Sequence, residues 1–513
     1  MKKLPIGIQS FVEIRTDNYY YADKTFYVEK LTNSGKYFFL SRPRRFGKSL
    51  FLDTLRQAFL GNKELFKGLY LYENWNWDKI YPVIHISFGS GVSRSGKETV
   101  ENIFFQLKLN QRFLKIECEE KNNYKNCFYE LIIKASEKYK EKVVVLVDEY
   151  DKPILDRIDE PEIARENREI LKDFYSVLKD TDIYLKLVFL TGVSRFSKVS
   201  IFSGLNQLQD ITLNPEYATI CGYRQVDLET VFGDSIKDFD KEEVKLWYNG
   251  YNWLGESVYN PFDILLLFSE KRFRSFWFET GTPTFLIKLF QKNKYYLPKI
   301  EELKVGEEIL SNLDIDYIFP ENLLFQSGYL TIKEFIRSGS KNVYVLTYPN
   351  LEVRMSFNDS FLTYLTPDPV KKDGAEIELI EALEKAEVEK VKDILYSFFA
   401  SIPADWYRKN QLQDYEGYYA SVIYALFNGA GLKTVAEDTT NMGRIDLSVI
   451  WEGKVYIVEF KVVEEKPEGK ALHQIKERRY FEKYVNQYKD IHLVGIEFSK
   501  AERNIVNFDW ERM

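Results

Sequence analysis

The chain is poor in sulfur and in imidazole, with 3 Cys and 3 His among 513 residues. Cys118, Cys127 and Cys221 share no CxxC spacing, and so few histidines leave no tetrahedral ligand set, so a structural zinc site is not expected. A sparse, odd cysteine count fits a reducing compartment, and a cytoplasmic protein is the expectation. No run approaches 18 uncharged apolar residues, so neither a spanning helix nor a membrane partner is expected. The opening MKKLPIGIQS lacks the apolar stretch of a secretion signal. An excess of positive charge is missing too. Lys and Arg number 71 against 78 Asp and Glu, giving a net charge of −7, so nucleic acid would have to bind through local basic patches. Repeats and low-complexity tracts are absent.

What is present is apolar and aromatic. Hydrophobic residues make up 45% of the chain and aromatics 16%, enough to bury several cores, and the length suggests about two to four domains. Tyr37–Leu40, residues 81–88, 142–151 and 184–193 read as buried strands with helical patterns between them. Such alternation predicts an α/β domain with a mostly parallel sheet over 1–210. From 211 to 371, segments such as EEVKLWYNGY, PFDILLLFSE and PTFLIKLFQK are aromatic and helix-like, with some strand near 323–348, and a mainly helical middle region is expected. Pro367, Pro369 and Lys371–Gly374 read as a linker, and a third unit spans 372–513. It opens on one long helix, EIELIEALEKAEVEKVKDILYSFF. A second helix, YEGYYASVIYALFNGAG, precedes strands TVAEDT, RIDLSVIW and KVYIVEFKVV, a helix at about 470–487 and a strand HLVGIEFS. That order predicts a small α/β core of nuclease type.

Two patterns carry chemistry in the first domain. A strand, a turn and a helix surround Gly47-Lys48-Ser49, the closing part of GxxxxGK[ST], with Arg42 in place of the first glycine. Glycine lets the backbone approach phosphate, and free amides at a helix N-terminus face the anion. Lys48 would address the outer phosphates and Ser49 would ligate magnesium. The loop residues Arg42, Arg44, Arg45, Phe46, Gly47, Lys48, Ser49 and Leu50 form the candidate nucleotide-binding set. The second pattern is the strand 143–147, which delivers Asp148 and Glu149 to its C-terminal end. Asp148 suits the magnesium shell, and Glu149 suits orienting or deprotonating the attacking water. Thr191, at the end of a third strand, is placed to sense the γ-phosphate. Arg195 reads either as a phosphate-directed arginine, within the chain or across a subunit boundary, or as an arginine paired with a carboxylate.

The strings LSRPRRFGKSLFLDTL, VDEYDKPI, TGVSRFSKVSIFSGLNQL, WYNGY, VYNPFDIL and TGTPTFL closely resemble the bacterial AAA-ATPase-like family with a C-terminal PD-(D/E)XK nuclease domain. Within that family RPRR stands where other ATPases have the first glycine. The resemblance covers nearly the whole chain and implies an ATPase core, a middle region of the same module and a nuclease-superfamily tail.

Metal-dependent phosphodiester cleavage needs hard oxygen ligands for Mg²⁺ or Mn²⁺ and a cation near the attacking water. A hairpin turning at Glu452-Gly453 would pair Asp446 with Glu459, and strand alternation puts Glu459 and Lys461 on one face. Asp446, Glu459 and Lys461 are therefore the candidate catalytic group, with Asp446 and Glu459 as metal ligands. The resemblance adds Glu416 from the preceding helix, and Gln474 and Tyr480 from the following one. Residues 372–513 hold 20 Lys and Arg against 26 Asp and Glu. Lys470, Lys476, Arg478, Arg479 and Lys483 could track a phosphate backbone, or could form a solvated face paired with Glu477 and Glu482. The expectation is an ATP-controlled, metal-dependent nuclease acting on DNA ahead of RNA, with a homo-oligomer as a further expectation. A nucleotide-driven switch whose tail only binds nucleic acid or a protein is the alternative.

Overall fold

The computed structural model describes residues 2–196, 201–202, 205, 207–277, 295–311, 313–366, 368–403 and 416–513. The segment 283–292, read above as helix-like, and the string TGTPTFL lie outside these residues. The chain divides into two compact units, one of Met1–Trp277 with Lys304–Val345, the other of Phe278–Leu303 with Leu346–Met513.

The first unit is built on a parallel sheet. Its strands are β1 (Tyr37–Ser41), β2 (Val83–Ser87), β3 (Val143–Asp148), β4 (Leu185–Gly192) and β5 (Gln209–Asp210), in the order β2-β3-β4-β1-β5. Every pairing is parallel. All residues of β1 and β3 are buried, as expected for strands covered on both faces by helices. Two helices precede β1, α1 (Phe11–Thr16) and α2 (Phe26–Ser34), and α3 (Lys48–Phe59) follows it. Helices α4 (Gly96–Leu114), α5 (Tyr124–Tyr139) and α6 (Pro161–Asp180) complete the crossovers. Their apolar stripes and the sheet share one core that includes Leu107, Leu131, Val145, Phe174 and Val188. The strand order brings the C-terminal ends of β1, β3 and β4 together, where ligands bind in open α/β sheets.

Helices α7 (Gln225–Thr230), α8 (Lys241–Tyr248) and α9 (Pro261–Glu270) share an aromatic-rich core with Phe232, Tyr248 and Phe268. Beyond them lies a three-stranded sheet of β6 (Leu303–Gly306), β7 (Thr331–Ser338) and β8 (Lys341–Thr347), ordered β6-β8-β7.

From Leu346 onward the second unit runs through three helices, α10 (Leu351–Leu365), α11 (Pro369–Glu384) and α12 (Val388–Ser401). The single helix expected over 376–399 is two, because Ala386 adopts a left-handed φ of 55° between them. The stretch read as a linker is the first turns of α11, with Pro369 at the N-terminal position that tolerates proline. Helix α13 (Glu416–Gly429) then precedes a five-stranded mixed sheet. Its strands are β9 (Lys433–Thr440), β10 (Gly443–Trp451), β11 (Lys454–Val463), β12 (Asp490–Ser499) and β13 (Ile505–Arg512), consecutive in space. Only the β11–β12 pair is parallel, and its crossover carries α14 (Lys470–Glu477). That helix is shorter than expected because Arg479 is left-handed, with a φ of 51°. β13 was not expected from the sequence; its exposed, charged end hides the strand pattern.

Candidate functional site

The candidate phosphate loop leaves β1 and enters α3 through Gly47, which caps the helix with a φ of 91°. A Cβ at this position would meet no atom within 4 Å, so glycine is required by the backbone conformation rather than by crowding. Lys48 is 7% exposed, and its ammonium donates to the carbonyls of Arg42 and Pro43, both at 2.9 Å. Burial lowers its pKa, opposed first by the Asp148 carboxylate. Ser49 and Leu50 are half-buried in the first turn of the helix.

The arginines of the loop divide by role. Arg42 is fully buried and donates to the carbonyls of Ser41, Thr212 and Tyr217, with its guanidinium 4.0 Å from the centre of the Trp253 ring. It therefore braces the loop from behind. Arg45 lies over Phe262 at 3.8 Å and donates to the carbonyl of Phe276, while Arg44 is exposed. Phe46 is buried edge-on against Tyr251 and Trp253. The RPRR string thus supplies a packed base for the loop in addition to its charge.

Asp148 ends β3 buried, and its Oδ1 accepts from the Glu149 amide at 3.0 Å. Glu149 has a left-handed φ of 50°, and its pKa is raised by burial and then by Asp148. Thr191 is fully buried and donates to the Leu40 carbonyl at 2.9 Å, locking β4 to β1 just below the loop. Arg195 pairs within the chain with Asp210, at 2.6 and 2.9 Å. One residue of this region was not singled out from the sequence. Asp151, 1% exposed, accepts from the amides of Val193 and Ser194 at 3.1 and 2.6 Å and from the Ser194 hydroxyl, tying the end of β3 to the end of β4. A second aspartate three residues after Asp148 is its signal in the sequence.

In the second unit the hairpin register is Leu447↔Val458, which places Asp446 beside Glu459. The Phe460 amide donates to Asp446 Oδ2 at 2.8 Å, and the Lys461 ammonium stands 3.4 Å from Glu459 Oε1 and 4.0 Å from Glu416 Oε1. Lys461 also donates to the Phe460 carbonyl at 2.8 Å, and Gln474 donates its amide to Glu459 Oε1. Four elements, β10, β11, α13 and α14, therefore deliver Asp446, Glu459, Lys461, Glu416 and Gln474 to one place. Tyr480 sits beside Gln474, and its hydroxyl lies 2.9 Å from where a Cβ on Gly443 would stand. Gly443 also has a φ of 148°, so the GRxD lead-in needs glycine on both counts.

Burial raises the pKa of both carboxyls, Asp446 to about 6 and Glu459, with Asp446 as its next cause, to about 8. Glu459 is 1% exposed, and its Oε2 has no hydrogen-bond partner. A buried carboxylate oxygen without a donor is costly, and a divalent cation satisfies it. The donor set of Asp446 and Glu459, all oxygen, fits Mg²⁺ or Mn²⁺.

The helix that carries Gln474 is held by two residues of β12. Glu497, fully buried, accepts from the amides of Glu468, Gly469 and Lys470 at 2.7, 3.1 and 2.6 Å. Burial alone would raise its pKa, but these amides outweigh it and the pKa is lowered. Gly495 lies in register with Glu459 and lets the helix backbone pass directly over the strand. An acid inside the apolar run HLVGIEFS was the available sign of Glu497.

The basic residues near α14 are mostly committed to acids. Lys470 pairs with Glu468, Lys476 with Glu511, Arg479 with Glu482 and Lys483 with Asp438.

A Gly-Lys-Ser loop and acidic strand end on a parallel sheet, with a carboxylate–lysine cluster on a small mixed sheet, fit a two-module protein of ATPase-like and nuclease-like type. Residues 5–202 match the family described as "Predicted AAA-ATPase", and residues 414–508 match the PD-(D/E)XK nuclease superfamily. The chain belongs to the AAA-ATPase-like proteins that carry a PD-(D/E)XK nuclease-superfamily domain. Over 508 residues it is 48% identical to "Uncharacterized protein in vnfD 5'region" of Azotobacter chroococcum mcd 1, covering 99% of this chain and 98% of that protein. No helix among the described residues is long and apolar enough to cross a membrane.

Proposed function

We propose that the protein is an ATP-controlled, metal-dependent phosphodiesterase acting on nucleic acid, with DNA ahead of RNA. The observation that carries this reading is Glu459: buried, one oxygen without a partner, and within reach of Lys461, Gln474 and Asp446. In this reading Asp446 and Glu459 hold the divalent ion, whose role is to polarise the scissile phosphate and lower the pKa of the attacking water. Lys461, held between Glu416 and Glu459, orients the water and offsets charge as it develops, and Gln474 fixes the carboxylate.

The nucleotide part rests on the αL Gly47 at the head of α3, on the buried Lys48 that follows it and on the buried Asp148 that ends β3. Lys48 takes the outer phosphates, Ser49 and Asp148 hold the magnesium that accompanies ATP, and Glu149 handles the water.

The test is cleavage of supercoiled and linear DNA and of RNA, with Mg²⁺ or Mn²⁺, with and without ATP. Metal-dependent nicking that Asp446→Ala and Lys461→Ala abolish in folded protein is the expected result. Nicking that persists in both variants refutes the site. Binding without cleavage under either metal favours a nucleotide-driven switch whose tail only docks nucleic acid or a protein.

A further inference from the structure

A surface helix of a globular protein turns its apolar stripe to the core and its polar face to solvent. Helix α4 departs from that pattern on both sides. Ile103, Leu107 and Leu114 do join the core of the first unit. Beside them, however, two polar side chains also face inward. Asn110 accepts from the His85 amide at 2.8 Å and donates to the His85 carbonyl at 2.7 Å, and Gln106 accepts from the Ser87 amide at 3.3 Å. β2 is an outer strand of the parallel sheet, so α4 seals that edge with two buried side-chain amides.

The outward side of α4 is apolar. Phe105, Leu109 and Phe113 follow one another at intervals of four and are 55%, 41% and 47% exposed. That spacing sets them in one row along the helix. Phe113 has the Arg56 guanidinium 5.1 Å from its ring centre. Three large apolar side chains in a row differ from the scattered single ones of a solvated surface, and such rows mark contacts. Other residues already seal the sheet edge and fill the core, so these three contribute little to the fold.

Charge along this row is ordered from end to end. Glu98 and Arg112 stand seven residues to either side of Phe105, close to two turns each way and about 10 Å along the axis. Arg112 is exposed and forms no ion pair among the described residues. Glu98 accepts from the Arg94 amide through one oxygen, at 2.9 Å, which leaves the other for a partner. A face with an acid at one end, a base at the other and an apolar centre midway is complementary to itself turned end for end.

We propose that α4 is a dimerisation face that takes a second copy of this chain, antiparallel, across a two-fold axis at Phe105. The two Phe105 rings meet, Leu109 and Phe113 pack beside them, and Glu98 of each copy faces Arg112 of the other. The order of charge selects this arrangement, because a parallel copy sets acid against acid and base against base. An isologous contact of this kind closes on two copies and builds neither a ring nor a filament.

Sedimentation velocity of the full chain, up to about 100 µM, tests it. A monomer–dimer equilibrium with a Kd on the order of 10 µM is expected, since one helix face buries less than the roughly 800 Å² per partner of a standard interface. Phe105→Asp is expected to leave a monomer with an unchanged melting temperature, because the side chain is exposed. Glu98→Arg and Arg112→Glu, each alone, set like charges at both ends of the pair and are expected to weaken the dimer by at least about tenfold. Mixed in equal amounts, the two variants are expected to form dimers as tight as wild type, one chain bringing both bases and the other both acids. That recovery separates the contact from any loss of helix stability in a single variant. A wild-type chain that stays monomeric, assemblies larger than a dimer, dimers that survive Phe105→Asp, or a mixture no tighter than its components would each overturn the proposal.

Discussion

Gly495 and Leu472 are in backbone contact across β12 and α14, so close that a Cβ on Gly495 would stand 2.8 Å from Cα of Leu472 and closer still to its nitrogen. Gly495 is also the strand neighbour of Glu459. The absence of a side chain at 495 is thus what lets the helix lie low enough for Gln474 to reach the candidate catalytic carboxylate.

Gly495→Ala is therefore expected to lift the helix and break the Gln474–Glu459 contact. Amide exchange over 470–477 should accelerate, and the proposed cleavage should fall by roughly 100-fold, the usual cost of misplacing a positioning group by about 1 Å. A variant with unchanged exchange and full activity would show that the helix is not held by this contact.

The Asp446–Glu459 pair should load the fold at alkaline pH. Glu459 has a folded pKa of about 8 against an ordinary 4.5, so the folded state holds the extra proton. Its stabilising contribution is complete below the ordinary value and is lost as pH rises through about 8. In EDTA at pH 9, Glu459→Gln should melt several degrees above wild type, and the gap should close toward pH 5. Adding Mn²⁺ at pH 9 should raise the wild-type melting temperature and leave the variant's nearly fixed. Equal melting of the two proteins across this range would show that the pair is not strained.

Arg42 and Lys48 should fail in different assays. Arg42→Ala strands the carbonyls of Ser41, Thr212 and Tyr217 and exposes Trp253, a loss on the order of 3 kcal/mol in urea unfolding. Arg42→Lys should not rescue it, because one ammonium cannot reproduce the guanidinium's planar spread of donors. Lys48→Met loses two loop hydrogen bonds but keeps the packing, so stability should change by about 1–2 kcal/mol while ATP affinity drops by more than about tenfold.

Glu497→Gln should weaken the start of α14. The lowered pKa means that the carboxylate stabilises the fold above its ordinary 4.5 and loses that effect as pH falls through the folded value. The variant is expected to lose about 1–3 kcal/mol at pH 7 and to have a flatter acid limb, as read by urea titration at pH 7 and pH 3. A variant equal to wild type at both pH values would assign the helix start to other contacts.

Much of this was legible in the sequence, for physical reasons. Strands β1 and β3 are buried throughout and apolar up to Ser41 and Asp148 because both faces are covered, and a run of that kind ends where the strand leaves the sheet at its C-terminal end, which places Gly47 and Asp148. Likewise the Glu452-Gly453 turn fixes the register of β10 and β11, and register alone brings Asp446 beside Glu459. What could not be read depends on tertiary neighbours. Arg42 is a brace because Trp253, some 200 residues later, lies under it. Arg195 finds Asp210, Asp151 binds the end of β4, and Gly495 matters only because a helix crosses it. The break of one expected helix at Ala386 is set by a single left-handed residue, which no propensity favours in alanine.

The ion pairs around α14 bear on how this surface responds to electrolyte. Lys470, Lys476, Arg479 and Lys483 already carry protein anions in place of solution ions. A nucleic acid docking there would have to replace these carboxylates with its phosphates, and the displaced carboxylates would recruit solution cations that offset part of the counterions released from its backbone. The salt dependence of such binding would then be shallower than that of the same lysines and arginines left unpaired.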